Sequence, residues 1–424
     1  MRRTYVVVGC LVWLSACAGP DRSVIGPSSE ANQDMRWSPP NDGSVPHVMR
    51  PDGWVAAAAT APLPPSTSPD LAPGPATILL STVPTYAIYW GSQWGTQPFT
   101  GDKETGITSL LQGFGGSSYL NILPEYYRSS LPHYYISTSS PYVASFTDNS
   151  TPPPGDLVGN YGVVGTEVCN VLSAHHVTPN ASAVYFVYST TTADVNACGW
   201  HYFGACGSTN IQFAYVLNQD TFTQCNTPSV AGHSGGLSRI ANTTAHELAE
   251  AITDPRNSGW RDPQGFEIGD LCQGKFDGPG QSTTLSNGAV FALQDLWSNN
   301  ANDQNYGFGD SQFLGGKGCV PAAPWSHVVT WFTSGNNPSQ ATIQYYCSWS
   351  ASAAGGTPPY TYTWQAIGTN LFDTPNGSSV TVYKFDSGDY VLQLTVKDAK
   401  RQQAIIAREV QMTTFAIGNC SPVA

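Results

Sequence analysis

The stretch LSRIANTTAHELAEAITDP, residues 237–255, decides the fold of the larger part of this chain. Apolar and small side chains recur every three or four positions and predict a helix over 237–253, which Pro255 ends. Its predicted inward face is formed by Leu237, Ile240, Thr244, Leu248, Ala251 and Ile252. Predicted strands precede this helix, so we expect an α+β domain over residues 76–322, with one strong helix packed on a β-sheet.

Three segments before the helix are rich in aromatic and β-branched residues and predict buried strands at 86–91, 183–188 and 211–217. A further helix is expected to open at 106–111. The segment from Cys198 to Gly207 separates the last two strands, and we expect it to be a loop that carries two cysteines.

The helix also carries the motif with the clearest chemistry. His246 and Glu250 are four positions apart and therefore share a helix face, with Glu247 beside them. This is the spacing of the zinc-binding HExxH motif with glutamate in place of the second histidine. His246 and Glu250 are therefore candidate metal ligands, and Glu247 is the candidate general base that acts on a metal-bound water.

A helix face offers two ligands, so a third must come from another segment. Glu267 and Asp270 follow a turn that can bring them back to the helix, and Asp254 is the other candidate. Zinc is the expected ion and calcium the alternative. Mixed nitrogen and oxygen ligands would indicate zinc, and oxygen ligands alone would indicate calcium. His201 and His233 are further candidates, although a lone histidine is more often structural or exposed.

The motif by itself is weak, because HExxE also arises on acidic surface helices with solvated glutamates. Only 11% of the residues are charged, however, so three acids and a histidine cluster where few are present. Nothing in the sequence points to a glycosidase. The net charge of −12 argues against nucleic acid as a partner.

The N-terminus has the features of a bacterial lipoprotein signal over residues 1–17. Two arginines precede a short apolar run at 5–13, and the sequence Leu-Ser-Ala-Cys at 14–17 resembles a lipobox. Cys17 is the expected lipidation site, which would anchor the chain to a membrane at the cell envelope. Residues 18–75 are rich in Pro, Ser and Ala, and we expect a disordered tether there.

The chain has ten cysteines. Cys10 leaves with the signal and Cys17 takes the lipid, so eight remain, an even number that implies disulfides in an exported chain. We expect Cys272 to pair with Cys319 and Cys347 with Cys420. Two more bridges, with three pairings open, are expected among Cys169, Cys198, Cys206 and Cys225.

Residues 326–424 show short alternating strands and predict an all-β sandwich. The sequences GGTPPYTYTW at 355–364 and GDYVLQLTVKD at 388–398 resemble the PKD-type immunoglobulin-like domain. That resemblance implies a spacer or binding module rather than a catalytic domain.

Residues 76–322 resemble the Exordium, or phosphate-induced protein, family. The resemblance is carried by segments at 86–94, 184–195, 198–207, 213–216, 224–225, 249–255, 257–260 and 271–274. Plant members of that family are apoplastic proteins linked to growth, without established catalysis, and they lack counterparts of His246 and Glu247. The metal site is therefore not implied by this resemblance.

Two functions stay open on the sequence. The first is a metal-dependent, peptidase-like hydrolase, exported as a lipoprotein with an accessory β-sandwich. The second is a non-catalytic extracellular binding or signalling module with a structural ion or none. Cell-wall components, polysaccharides and proteins are the partner classes that fit either one.

Overall fold

The computed structural model describes residues 35–51, 70–128, 136–276, 281–321 and 328–422, with short gaps at 42, 75–78, 80–81, 195, 304–307, 310–316, 337–344, 355–358, 385–387, 398, 400–402 and 413–419. The signal, the lipobox with Cys17 and much of the expected tether lie outside these residues. The predictions made for them stay predictions.

Helices and strands are mixed along the first three quarters of the chain. The strands are β1 Trp37–Ser38, β2 His47–Met49, β3 Ala72–Pro73, β4 Thr85–Trp90, β5 Tyr142–Asp148, β6 Val184–Thr192, β7 Gly199–Cys206, β8 Thr209–Asn218, β9 Trp260–Arg261, β10 Thr283–Thr284, β11 Val290–Phe291, β12 Leu296–Trp297, β13 Phe308–Gly309 and β14 Lys317–Val320. The α-helices are α1 Lys103–Phe114, α2 Tyr161–Ala174, α3 Gly235–Thr253 and α4 Asn299–Asp303.

Seven of these strands form one sheet in the order β1-β7-β8-β6-β4-β5, with β2 also paired with β7. Strands β5, β4, β6 and β8 run parallel to one another, whereas β7, β1 and β2 are antiparallel additions at one edge. Parallel neighbours need crossover connections, and α1 and α2 provide those from β4 to β5 and from β5 to β6. The domain is thus mixed α/β, and helix α3 packs on a large sheet, as the sequence predicted.

The sheet is covered on both faces. Successive residues of β6 point to opposite sides, so that Phe186 packs with α1 and α3, and Val187 packs with α2. Helix α2 was not predicted, because its sequence YGVVGTEVCNVLSA is rich in valine and glycine, which have low helix propensity. Burial of its apolar side against the sheet outweighs that propensity.

The segment expected to be a cysteine-bearing loop is strand β7, which pairs with β8 along its whole length. Its sequence GWHYFGAC alternates across the sheet: Trp200 and Tyr202 enter the core on the α2 face, while His201 points to the α3 face. The cysteines mark the ends of a strand rather than a loop.

The structure corrects part of the expected tether at 18–75. Within it, β1 and β2 pair with β7, and β3 pairs with β9. Trp37 lies against Gly162, Gly165 and Gly204, where an added methyl group would meet its ring at 2.1–2.9 Å. A proline-rich composition did not reveal this pairing, because the strands are only two or three residues long and are stabilised by a distant strand.

Three disulfides are present among the described residues. Cys272 pairs with Cys319 as predicted, and the open pairings among the other four resolve to Cys169–Cys206 and Cys198–Cys225. Cys347 is also disulfide-bonded, but the side chain of Cys420 lies outside the described residues, so that pairing stays a prediction. The disulfides indicate a protein that folds outside the reducing cytoplasm. Among the described helices, none has both the length and the apolar character needed to span a membrane.

The C-terminal part consists of two four-stranded antiparallel sheets, ordered β15-β16-β19-β18 and β17-β20-β21-β22. Their strands are β15 Val328–Asn336, β16 Tyr345–Ala354, β17 Thr361–Ile367, β18 Leu371–Asn376, β19 Ser379–Lys384, β20 Gly388–Lys397, β21 Gln403–Met412 and β22 Cys420–Pro422. Residues of both sheets, Trp349 and Trp364 among them, share one apolar core. This agrees with the predicted all-β sandwich, and its PKD-type character stays a prediction.

Candidate metal centre

Helix α3 places the predicted motif in the interior of the protein. The helix begins after Ser234, whose hydroxyl accepts a hydrogen bond from the Leu237 amide at 3.0 Å, and every residue from Gly236 to Thr253 except Arg239 is buried. His246, Glu247 and Glu250 are each fully shielded from solvent. The solvated surface helix that the sequence left open is therefore excluded.

Two residues predicted as ligands on α3 meet a third from the following loop. Nε2 of His246 lies 3.1 Å from Oε1 of Glu250 and 3.7 Å from Oδ1 of Asp270. The Asp270 amide donates to the same Glu250 oxygen at 3.1 Å. Two ligands bound to one tetrahedral zinc ion are about 3.3–3.6 Å apart, so these three side chains have the spacing of a metal-binding set.

A glycine allows the loop to approach the helix this closely. A methyl group on Gly269 would lie 2.7 Å from Nδ1 of His246 and 2.9 Å from Oε1 of Glu250. The side-chain amide of Gln294 donates to the Gly269 carbonyl at 2.7 Å, and the disulfide from Cys272 to Cys319 ties the loop end to β14. One small residue, Gly269, and one disulfide, Cys272–Cys319, thus hold the loop against the helix.

The other two predicted ligands lie on the far side of the cluster. Oε2 of Glu267 is 2.9 Å from Nδ1 of His47. Asp254 accepts hydrogen bonds from two backbone amides in the turn after α3, and its Oδ2 faces Arg261 Nε at 3.1 Å. Asp254 has oxygens within reach of His47 and Glu267, but its main contacts hold the turn.

Glu247, the predicted general base, lies next to the metal-binding set and is oriented by a histidine. Its Oε2 is 3.0 Å from Nδ1 of His201, and its Oε1 accepts no hydrogen bond from any described residue. The same His201 nitrogen is 3.6 Å from Oε2 of Glu250. Glu247 and Glu250 therefore face the same small volume.

His47 is the residue that sequence reasoning missed, and His201 is the one that it undervalued. They lie directly opposite each other on β2 and β7, with rings stacked 5.5 Å apart. The alternation of β7 could have assigned His201 to the α3 face. No local signal marks His47, which lies within the expected tether. His233 is not part of the cluster, because its ring packs against Phe291.

The cluster holds more acceptor atoms than donors. Five carboxylates and three imidazoles share it, and the Arg261 guanidinium lies at its edge. Atoms without a hydrogen-bond partner among the described residues are His201 Nε2, both ring nitrogens of His246, Glu247 Oε1, Glu250 Oε2 and both oxygens of Glu267. Buried charges without partners are costly, so a cation is the simplest compensation.

The pKa values report the same imbalance. Burial alone would lower the pKa of His246, but Glu250, Glu247 and Asp270 raise it to about 10. Burial raises the pKa of Asp270 to about 8, with the Glu250 charge adding to the effect. Burial, together with Glu250 and Asp254, raises the pKa of Glu267 well above its usual range. The cluster must take up protons or another cation to be stable.

No protein-family model and no curated protein matches this chain. Among solved structures, wild-type OgpA from Akkermansia muciniphila aligns at 10% identity and a TM-score of 0.22, covering 82% of this chain and 96% of that one. Catalytically inactive OgpA from the same organism, in complex with an O-glycopeptide (glycodrosocin) substrate, aligns at 9% identity and a TM-score of 0.23 over the same shares. Scores this low carry no argument about fold or function, and the Exordium-like resemblance stays a prediction.

Proposed function

We propose that this chain is an exported, zinc-dependent hydrolase of the peptidase type, with its metal held by His246, Glu250 and Asp270. The observation that carries the proposal is the convergence of these three side chains, with 3.1 and 3.7 Å between their ligand atoms, in an interior where carboxylates are in excess. Residues 20 positions apart in sequence, Glu250 and Asp270, are brought together by a loop whose glycine and disulfide fix its path.

The donor set favours zinc over calcium. A calcium ion takes six to eight oxygen ligands, whereas zinc accepts a mixture of imidazole and carboxylate with four ligands in all. One imidazole and two carboxylates would leave one zinc position for water. A zinc ion supplies an acidified water and polarises a carbonyl oxygen.

Glu247 has the arrangement that a general base requires. Its Oε2 is held by His201, which leaves Oε1 buried without a hydrogen bond from any described residue. A base must lie within hydrogen-bond reach of the proton that it removes, and Glu247 shares the volume next to Glu250. Its carboxylate would take a proton from water and later give it to the leaving amine.

The second candidate is a non-catalytic extracellular module with a structural ion, and the burial of the cluster favours it. His246, Glu247 and Glu250 have no exposed surface, and His47 of β2 lies in the same cluster. A hydrolase therefore requires movement of a covering segment before a substrate can enter. Lipid attachment at Cys17, with cell-wall, polysaccharide or protein partners, fits either candidate and is part of the proposal.

Two variants of the full chain test the proposal. In Glu247→Gln the metal should stay bound while hydrolysis of an unfolded protein substrate falls by about 100-fold or more, because the base is lost. In His246→Ala the metal itself should be lost. Metal content is measured by mass spectrometry of the metal-loaded protein, and hydrolysis by release of labelled peptides.

The outcomes separate the two candidates. Zinc bound by the wild type and by Glu247→Gln, with no hydrolysis by either, would favour the structural-ion module. A Glu247→Gln protein that hydrolyses at the wild-type rate would remove Glu247 from the mechanism. A wild type that neither contains zinc nor takes it up would overturn the metal centre altogether.

A further inference from the structure

His47 and His201 form a second convergence of ligand atoms beside the first. They occupy paired positions on β2 and β7, and their rings stack with an angle of 24° between planes. Both rings lie next to Glu267, whose side chain is fully buried. Neither residue takes part in the set formed by His246, Glu250 and Asp270.

One carboxylate oxygen faces both rings. Oε2 of Glu267 is 2.9 Å from Nδ1 of His47 and 3.7 Å from Nε2 of His201. Neither contact has hydrogen-bond geometry, and both Glu267 oxygens lack a hydrogen-bond donor among the described residues. The Glu267 oxygen and the two ring nitrogens are close together without forming hydrogen bonds to one another, as expected for ligands that surround one cation.

The other nitrogen of His201 explains why Nε2 is available. Nδ1 of His201 is hydrogen-bonded to Oε2 of Glu247 at 3.0 Å. Histidine ligands usually donate their second ring N–H to a carboxylate, which fixes the tautomer and directs the remaining lone pair at the metal. His201 is 1% exposed and its Nε2 has no hydrogen-bond partner among the described residues, so this lone pair is aimed into the interior.

We propose that Nδ1 of His47, Nε2 of His201 and the carboxylate of Glu267 bind a second divalent cation of the zinc class. Two imidazoles and one carboxylate form a donor set typical of zinc. His47, Glu267 and Asp254 have ligand atoms within 4.8 Å of one another, so Asp254 or water can take the fourth position. This second site uses none of the three ligands of the proposed catalytic metal, and it does not depend on catalysis.

The second site explains the position of the N-terminal segment. Strand β2 has only three residues and carries one ligand, His47, while the strand that it joins carries the other histidine. A metal bound between them would fasten β2 to β7.

Zinc stoichiometry of the full chain tests the proposal. The protein is stripped with a chelator, reloaded with Zn²⁺ and analysed for zinc per chain. We expect two equivalents in the wild type, and one each in His47→Ala and His246→Ala. His233→Ala is the matched control and should keep two, because His233 lies outside the cluster.

The single-site outcomes identify which proposal fails. One equivalent in the wild type that persists in His47→Ala overturns the second site and leaves the proposed catalytic metal intact. One equivalent that persists in His246→Ala but is lost in His47→Ala supports the second site and overturns the catalytic one. No zinc in the wild type overturns both.

A second measurement is decided in the wild type, with His47→Gln as its comparison. Hydrogen exchange of the peptide at 43–50 in the wild type should slow on addition of Zn²⁺ to the stripped protein, because the metal holds β2 on β7. The same addition should leave this peptide unchanged in His47→Gln. Equal protection of β2 with and without Zn²⁺ in the wild type would overturn the fastening role.

Discussion

Helices α2 and α3 cover opposite faces of the same sheet, and each buries ionisable side chains in a different way. On α2, Glu167 is buried and is hydrogen-bonded to Asp148 of β5, a pair that needs only one proton between them. On α3, His246, Glu247 and Glu250 face further acids and histidines from three other segments.

The difference shows what distinguishes a buried structural pair from a candidate site. On the α2 face, the raised pKa of Glu167 lets the two carboxyl groups share one proton, and Glu167 Oε1 has no hydrogen-bond partner among the described residues. No other described His, Cys, Asp or Glu joins the two in a metal-binding group. On the α3 face, five carboxylates and three imidazoles exceed what proton sharing can satisfy. The excess of ligand atoms, rather than burial alone, indicates a cation.

The largest expected effect comes from a histidine-to-alanine change on each helix. His246→Ala should lower the free energy of unfolding by about 3–5 kcal/mol, because it leaves buried acids without their partner. His175→Ala, at the exposed end of α2, should change it by no more than about 0.5 kcal/mol. Urea denaturation of the wild type and both variants, each with the same concentration of Zn²⁺, measures both. Equal changes in the free energy of unfolding would mean that His246 does not stabilise the buried acids of the α3 cluster.

The pH dependence of the α2 pair is the next test. Burial, with the hydrogen bond to Asp148 and its charge, raises the pKa of Glu167 from 4.5 to about 8. Because the unfolded chain loses this proton at lower pH than the folded protein does, the contribution of Glu167 to stability is complete below pH 4.5 and declines as the pH rises to about 8.

Glu167→Gln should remove that decline, because glutamine keeps the hydrogen bond to Asp148 without a proton to lose. The variant should match the wild type near pH 4.5 and exceed it in stability near pH 8. Thermal unfolding across this range measures the difference. A wild type and variant with parallel pH profiles would show that the pair does not share a proton.

A smaller effect is expected from a methyl group added at each helix contact. Gly165→Ala on α2 would place a carbon 2.1 Å from Nε1 of Trp37, and Gly269→Ala would place one 2.7 Å from Nδ1 of His246. Each should cost about 1–3 kcal/mol of stability through overpacking. Zinc affinity should fall only in Gly269→Ala. A loss of zinc affinity in Gly165→Ala as well would mean that the two faces are coupled.

Much of the candidate site could be predicted because the relevant signals are local. The four-residue spacing of His246 and Glu250 sets their shared face, and Asp270 follows within a short loop. Disulfide pairing between Cys272 and Cys319 was also predictable from their positions at the end of the domain. Helix α2 was not, because packing against the sheet outweighs the low helix propensity of its valines and glycines.

The sequence by itself determined helix α3, the shared helix face of His246 and Glu250, and the need for a ligand from another segment. Burial of these side chains in the interior was decided by the tertiary structure. Only the tertiary structure decided that His47 and His201 join them, since a contact between β2 and β7 depends on strand pairing across a long stretch of chain. Helical periodicity is set by neighbours three and four positions apart, whereas sheet partners are chosen by the whole fold.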